Sequence, residues 1–217
     1  MSNTANAHSP LHAIRVHSHP LSGHVHRVEL FLSLLGVPFE RVNVDLAKAE
    51  HKSPGFLALN PFGQLPVIED GGLVLADSNA ILVYLAMTHD ADGRWLPRDA
   101  VGAAKVQRWL SVAAGQLAYG PAVARVATVF GRPADQVPRD AAARLFALIE
   151  KHLATQAFLA APHVTIADLA MYAYTAHAPE GGVSLAPYPQ LRAWLARIEA
   201  LPGFIGLMQS AVPEATA

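Results

Sequence analysis

The sequence predicts an α/β domain followed by an all-helical domain. Before residue 90, short β-branched runs alternate with a helical stripe and end in a hairpin. Beyond the polar connector His89 to Gly93, no convincing strand run occurs and the apolar residues follow helical spacing. A chain of 217 residues with 52% hydrophobic residues is large enough to bury a substantial core. We therefore expect one domain at residues 11–90 and a second at residues 98–217.

The first domain is expected to have the element order βαβαββα. Residues 13–16 and 39–44 predict strands, residues 25–35 a helix between them, and residues 48–59 a short irregular helix. Residues 67–75 predict a hairpin, because the Asp70-Gly71 pair supplies the positive φ of a tight turn. The pair Asp77-Ser78 then begins the last helix, so the final two strands are antiparallel.

The second domain is predicted from four helical segments. Residues 101–130 indicate one long helix bent at Gly120-Pro121, and residues 138–153, 169–177 and 191–201 carry apolar stripes. Thr165 and Asp168 form a capping box at the start of the third segment, since each side chain satisfies the other's exposed N–H.

Composition excludes several classes of function. With 16 basic and 17 acidic residues the formal net charge is -1, which gives no electrostatic surface for nucleic acid or an anionic membrane. The chain has no cysteine, which removes disulfides, thiolate nucleophiles and cysteine metal sites. Neither a secretory leader nor an apolar run long enough to span a membrane is evident. We expect a soluble cytoplasmic protein.

The segment Asn60-Pro61-Phe62-Gly63-Gln64-Leu65-Pro66 indicates a ligand site. Pro66 has no N–H and forces Leu65 into extended geometry, and an X-Pro bond adopts the cis form at a cost of only about 0.5–1 kcal/mol. Leu65 is then expected to turn its N–H and carbonyl away from its own sheet. Those groups would pair with an extended ligand as an added strand does.

Asp77 and Ser78 fit the amino-acid end of such a ligand. A serine at a helix start offers a hydroxyl and unpaired N–H groups to a carboxylate, and a neighbouring aspartate accepts an ammonium group. The alternative is an ordinary helix N-cap after a hairpin.

Several motifs, in order and in spacing, resemble those of the soluble glutathione transferases over nearly the whole chain. The resemblance is greatest to the serine-type branch related to the phi class, and it implies a thioredoxin-like N-terminal domain, an all-helical C-terminal domain and a homodimer. The motifs are His19-Pro20-Leu21-Ser22, Arg27-Val28, Glu50-His51-Lys52, Asn60 to Pro66, Asp77-Ser78 and the capping box Thr165 to Asp168.

The resemblance assigns roles to individual residues. It implies that Ser22 hydrogen-bonds the glutathione sulfur, that His51 and Lys52 take the glycine carboxylate, and that Asp77 and Ser78 recognise the γ-glutamyl end. Gln64, Leu65 and Pro66 correspond to the segment that clamps the peptide backbone. Glutathione is thereby expected as cosubstrate, with no further cofactor. From the residues alone, Ser22 is equally compatible with a plain N-cap, and Ser18 is a weaker rival within the predicted strand.

The second substrate is expected to be a small hydrophobic electrophile. We predict that its pocket is lined by residues from the loop before Ser22 and from one face of the long helix: His19, Leu21, Val112, Gln116 and Tyr119. The alternative for the helix face is a stripe that packs into the core. The C-terminal tail Val212 to Ala217 is expected to influence how the pocket closes. The sequence Gly23-His24-Val25-His26 departs from the plant-type pattern, which affects the subclass and the detail of the sulfur site.

The histidines also raise the alternative of a metal site. His17 and His19 face the same way on a strand, whereas His24 and His26, two apart on a helix, do not, and no carboxylate lies among them. We therefore predict no metal and expect His19 to line the pocket entrance.

Together these features predict an enzyme that activates glutathione as a thiolate and adds it to an electrophilic hydrophobic molecule. Glutathione-dependent peroxidase or dehalogenase chemistry at the same site is a variant. The alternative from another class is a non-catalytic transferase-like module that binds ligands or proteins.

Overall fold

A computed structural model describes residues 13–133 and 135–210. The N-terminal part has the predicted order βαβαββα, with a 3₁₀ turn at Glu50–Lys52 before α2. The elements are β1 (Ile14–Ser18), α1 (Gly23–Leu35), β2 (Phe39–Asn43), α2 (Pro54–Leu59), β3 (Val67–Asp70), β4 (Leu73–Ala76) and α3 (Ser78–His89). The two domain boundaries stay predictions, and residues 11–12 and 211–217, including the tail from Val212, lie outside the described residues.

The sheet has four strands in the order β2-β1-β3-β4. β1 is parallel to β2, with Ser18 opposite Asn43, and antiparallel to β3, with His17 opposite Val67. β3 and β4 form the predicted hairpin, in which Val67 pairs with Ala76. The end of β1, the start of β3 and the end of β4 therefore meet at one edge of the sheet. The loops that follow or precede them converge there.

The C-terminal part contains helices and no strand among the residues described. Its α-helices are α4 (Ala100–Val112), α5 (Val123–Val129), α6 (Gln136–Leu153), α7 (Ile166–Ala176) and α8 (Pro189–Glu199). The predicted long helix is continuous from α4 to α5, but its middle, Ala113–Ala122, is π-helical around Pro121. In the described part of the chain, no helix is long and apolar enough to cross a membrane.

Helix α7 connects the two parts of the molecule. Every residue from Ile166 to Thr175 is buried, and the helix contacts α1, α3 and α4. The capping box is confirmed: the Thr165 N–H donates to Asp168 Oδ2 at 2.8 Å. Asp168 Oδ1 also accepts from Trp194 Nε1 at 2.9 Å, which ties the start of α7 to α8. The N-terminal sheet and the helical part thus share one core through α7.

Candidate active site

A cavity of about 1290 Å³ opens at the sheet edge where the loops converge. Its lining comes from the β1–α1 loop and first turn of α1, the segment between β2 and α2, the α2–β3 loop, the β4–α3 junction, the end of α5 with the loop after it, and α7. The residues are His19, Leu21, Ser22, His24, Asp45, Leu46, Ala47, His51, Lys52, Leu59, Asn60, Pro61, Phe62, Gly63, Gln64, Leu65, Pro66, Ala76, Asp77, Ser78, Val126, Phe130, Arg132 and Tyr174. Ser22 and all seven residues predicted to bind glutathione are in this set.

Ser22 is the N-cap of α1. Its Oγ accepts the Val25 N–H at 3.3 Å, so the hydroxyl oxygen caps the helix while its proton stays available to a ligand. The position is half-buried and lies at the positive end of the helix dipole. Ser18, the rival candidate, is buried, and its hydroxyl donates to Glu29 Oε1 at 2.8 Å.

The loop before β3 is held by Asn60. Its buried amide donates to the Gln64 carbonyl at 2.9 Å, and its Oδ1 accepts the Phe62 N–H at 3.1 Å. The Leu65–Pro66 peptide bond is cis. Among the described residues, no hydrogen bond is found for the backbone N–H or carbonyl of Leu65. This loop therefore carries backbone groups suited to an extended ligand, as the sequence predicted.

Asp77 and Ser78 occupy the start of α3 in an unusual conformation. Asp77 has φ of 74°, in the region that non-glycine residues rarely adopt, and it is the N-cap of the helix. Its Oδ1 accepts the N–H groups of Asn79 and Ala80, both at 2.9 Å. Asp77 therefore caps the helix and lines the cavity at once. The N-cap alternative and the binding hypothesis are compatible.

Two side chains of α1 lie beneath Ser78. Arg27 Nη1 donates to Ser78 Oγ at 3.1 Å and to His24 Nδ1 at 3.1 Å. His24 Nδ1 must act as the acceptor, because a guanidinium only donates, so Nε2 carries the proton of the neutral ring. Burial and the charge of Arg27 lower the pKa of His24 from 6.5 to about 3. His24 is therefore neutral near pH 7.

Arg27 itself is a buried cation. It is 1% exposed, its Nε and Nη2 have no partner among the described residues, and none of the described carboxylates forms an ion pair with it. Burial lowers its pKa to about 10, so it stays charged at neutral pH. Buried charges are ordinarily paired. Arg27 therefore gives the start of α3 a positive potential that suits an anionic ligand.

His51 and Lys52 lie on the 3₁₀ turn before α2. Lys52 Nζ donates to the carbonyls of Phe62 at 3.2 Å and Gly63 at 3.1 Å. His51 Nδ1 is buried and has no partner in the described part of the chain. Both residues line the cavity, and Lys52 also holds the α2–β3 loop through these two hydrogen bonds.

The predicted second-substrate residues divide into two groups. His19 and Leu21 line the cavity, but Val112, Gln116 and Tyr119 do not. Val112 packs against the core, and Gln116 and Tyr119 are exposed, the latter by 75%. The prediction uses 3.6 residues per turn, whereas the stretch Ala113–Ala122, which contains Gln116 and Tyr119, is π-helical and turns its side chains by a different angle per residue. Val112 precedes this stretch, so the winding does not account for its position. The role of these three residues in binding the second substrate stays a prediction.

The helix contributes Val126 and Phe130 instead. Phe130 lies near His19, with ring centroids 6.1 Å apart, and both line the cavity. Tyr174 of α7 and the buried Arg125 also belong to this region and were not predicted from the sequence. A lone arginine within the small apolar run from Pro121 to Phe130 was the available indication for Arg125. No local pattern distinguishes Tyr174 from a core tyrosine.

Two of the histidines considered as metal ligands, His17 and His26, form hydrogen bonds with other parts of the chain. His17 Nε2 lies 2.8 Å from Glu69 Oε1, and His26 Nε2 lies 2.8 Å from the Ile205 carbonyl. In residues 13–133 and 135–210, no group of three or more histidine, aspartate and glutamate side chains is arranged to hold a metal ion. His19 lines the cavity.

Comparison with known families decides the identity of the fold. Residues 12–87 match the glutathione S-transferase N-terminal domain, and residues 109–202 match the C-terminal domain of the same family. The chain belongs to the glutathione S-transferase family. The thioredoxin-like domain with its mixed sheet and the helical second part are those of this family.

Individual relatives agree with this assignment. The chain is 35% identical over 207 residues to glutathione S-transferase 3 of Zea mays, covering 88% of this chain and 91% of the relative. It is 33% identical over 186 residues to human glutathione S-transferase theta-2, covering 81% and 76%. The crystal structure of a glutathione S-transferase from Pseudomonas fluorescens superposes with a TM-score of 0.84 at 32% identity, covering 90% of this chain and 99% of that one. Glutathione-dependent transferase activity is the enzyme class of the family.

Proposed function

We propose that this transferase is of the serine type: Ser22 holds the sulfur of glutathione as a thiolate and the enzyme conjugates it to small hydrophobic electrophiles. The single observation that carries the proposal is the position of Ser22. Its hydroxyl caps α1 in the same cavity as the loop 60–66 and the start of α3. A subclass related to phi stays a prediction from the motifs.

In this proposal glutathione binds in an extended conformation across the sheet edge. Its γ-glutamyl end binds Asp77 and Ser78, where a carboxylate meets the N-terminus of α3 above Arg27. Its backbone pairs with Leu65 beside Gln64 and Pro66, in the manner of an added strand. Its glycine carboxylate meets His51 and Lys52. This path brings the cysteine sulfur to Ser22.

The site can supply the free energy needed to hold the glutathione sulfur as a thiolate near neutral pH. A free thiol titrates near about 8.5, so lowering that value by about two units requires roughly 2.7 kcal/mol. A helix N-terminus contributes about 0.3–1 kcal/mol, and a hydrogen bond to a charged group about 1.5–3 kcal/mol. The Ser22 hydrogen bond alone reaches this energy only at the upper end of its range, and the N-terminus of α1 supplies the remainder.

The reaction then consists of attack by the sulfur on an electrophilic carbon. The thiol proton leaves to solvent, an S–C bond forms, and the electron pair of the bond that breaks departs with the leaving group. Leu21, Val126 and Phe130 offer an apolar wall to the acceptor, and His19 packs against Phe130. A small apolar or aromatic electrophile fits this wall.

The decisive experiment combines binding and turnover. We expect retention on immobilised glutathione and conjugation of an activated aromatic halide, measured by absorbance. Retention without turnover across a broad panel of electrophiles would favour a non-catalytic module. Reduction of an organic hydroperoxide without conjugation would favour the peroxidase reaction.

The assembly is inferred to be a homodimer in the cytoplasm. Phe62 and Tyr119 are large side chains that are 80% and 75% exposed in the single chain, which favours cover by a second copy. A chain without cysteine suits a reducing compartment, where its thiol cosubstrate is kept reduced. Light scattering in solution tests the dimer, and a monomer at micromolar concentration would exclude it.

A further inference from the structure

Tyr174 belongs to α7, but its ring lies against the first turn of α1. A Cβ atom placed on Gly23 would lie 2.8 Å from Tyr174 Cζ, and 3.0 Å and 3.1 Å from Cε1 and Cε2. Only a residue without a side chain permits this approach. The closest ring atom is Cζ, which bears the hydroxyl. The phenol end of Tyr174 therefore reaches the helix start immediately after Ser22.

The Tyr174 hydroxyl has an available proton. The backbone N–H groups of His24 and Gly23, at the start of α1, lower the pKa of this hydroxyl against the larger rise from burial. A phenol has a single O–H, and no acceptor for it is found among residues 13–133 and 135–210. Tyr174 and Ser22 both line the cavity. The O–H is thus a donor that a bound ligand would satisfy.

The charges around Tyr174 favour an anion nearby. The Arg27 guanidinium carbon lies 5.6 Å from the ring centroid, and Arg27 and Arg125 are 1% and 0% exposed. Burial raises the pKa of Tyr174, and the two arginines and the backbone N–H groups only partly oppose that rise. The phenol therefore remains protonated at neutral pH and able to donate.

We propose that the Tyr174 hydroxyl is a second hydrogen-bond donor to the sulfur of bound glutathione, beside Ser22. The inference rests on the proposed function and adds a catalytic residue from the helical part of the chain. The N–H groups of the first helical turn ordinarily bind the anion themselves. Here the phenol also lies against the start of α1, so its O–H and the positive end of the helix act on the sulfur together.

Tyr174→Phe tests the role, because it keeps the ring against Gly23 and removes only the hydroxyl. We expect the titration midpoint of the bound thiol, followed by thiolate absorbance, to rise by about one pH unit or more. Turnover near neutral pH should fall about ten-fold, while the KM for glutathione changes less than about two-fold. Tyr172→Phe is the matched control, since that hydroxyl is on the same helix, outside the cavity, and donates to Glu199 at 2.9 Å.

Gly23→Ala provides a second variant that retains the hydroxyl but displaces the ring from the helix start. It should raise the thiol midpoint in the same direction, and thermal unfolding establishes that each variant is folded. An unchanged midpoint in Tyr174→Phe, with wild-type glutathione binding and turnover, would overturn the role of Tyr174 and leave the proposed function intact. Failure of the wild-type protein to bind glutathione would instead refute the proposed function.

Discussion

Arg125 of α5 donates from Nη1 to the backbone carbonyl of Leu21 at 2.7 Å. The same guanidinium, fully buried, donates from Nε to Glu180 Oε2 at 2.8 Å, and Ser210 also hydrogen-bonds that carboxylate. Leu21 directly precedes Ser22. A buried ion pair in the helical part therefore anchors the loop that carries the proposed sulfur ligand.

Substitutions of Arg125, alone and together with Glu180, should change the free energy of unfolding and the turnover to different extents. Arg125→Met leaves Glu180 buried without its main cationic partner, and we expect a loss of about 3–5 kcal/mol in the free energy of unfolding. The double variant Arg125→Met/Glu180→Gln removes the uncompensated charge and should recover part of that stability. Turnover should stay low in both, because the Leu21 carbonyl has lost its donor. Denaturant unfolding and steady-state kinetics measure the two effects. Recovery of full turnover in the double variant would show that the anchor is only structural.

Ser22→Ala should reduce conjugation ten-fold or more while glutathione affinity changes little. The lost hydrogen bond to a charged sulfur is worth about 1.5–3 kcal/mol, and each 1.4 kcal/mol corresponds to about ten-fold in rate. Ser18→Ala is the matched control, since its hydroxyl is engaged with Glu29. A loss of turnover in Ser18→Ala with normal turnover in Ser22→Ala would transfer the role to Ser18.

Local sequence patterns were sufficient to predict the backbone of the half of the site that lies at the sheet edge. The proline after Leu65, the Asp-Gly turn and the capped start of α3 each determine their own backbone, and β pairing brings them together. The half contributed by the helices was not predictable in this way. Tyr174 and Ser22 meet only through the packing of α7 on α1, a contact between distant parts of the chain.

The long helix illustrates a second limit. Val112, Gln116 and Tyr119 were chosen by regular α-helical spacing, which π-helical winding interrupts. Pro121 removes one N–H donor in this stretch, but the sequence alone indicated a bend there rather than a change of winding. Val126 and Phe130, which follow the π-helical stretch, line the cavity.

Arg27→Met should weaken glutathione binding about ten-fold without destabilising the free protein. The buried guanidinium has no ionic partner among the described residues, so its removal eliminates an uncompensated charge. The bound α-carboxylate then loses a cation beneath Ser78. Titration with glutathione measures the affinity, and denaturant unfolding measures the stability.

Arg15→Met is the control, because Arg15 is half-exposed and outside the cavity. It should change glutathione affinity and stability only slightly. Equal glutathione affinity in Arg27→Met and wild type would contradict the assignment.

Stability should decrease as pH falls below about 6.5. Burial lowers the pKa of His26 from 6.5 to about 4, and burial with the Arg27 charge lowers that of His24 to about 3. The unfolded chain therefore binds protons in this window that the native protein does not. The contribution is complete above pH 6.5 and is lost toward pH 3–4, at up to about 1.4 kcal/mol per pH unit for each histidine.

Unfolding by denaturant across this pH range tests the effect. His26→Gln preserves a donor toward the Ile205 carbonyl and should reduce the slope of stability against pH. His163→Gln, outside the cavity, should leave the slope closer to wild type. An identical slope in His26→Gln and wild type would exclude His26 as the source.

Gly63→Ala should damage the glutathione site through a steric contact in addition to backbone strain. Gly63 has φ of 59°, and an added Cβ would lie 2.7 Å from both the His51 carbonyl oxygen and Lys52 Nζ. Gly36 at the end of α1 has φ of 66° but nothing within 4 Å of the same position. Both alanine variants incur about 1–2 kcal/mol for the left-handed conformation.

Only Gly63→Ala must also move the His51-Lys52 turn away from the α2–β3 loop. We therefore expect a larger loss of stability in Gly63→Ala than in Gly36→Ala, and an increase in the KM for glutathione in Gly63→Ala alone. If Gly36→Ala raised that KM equally, general destabilisation rather than displacement of the turn would be responsible.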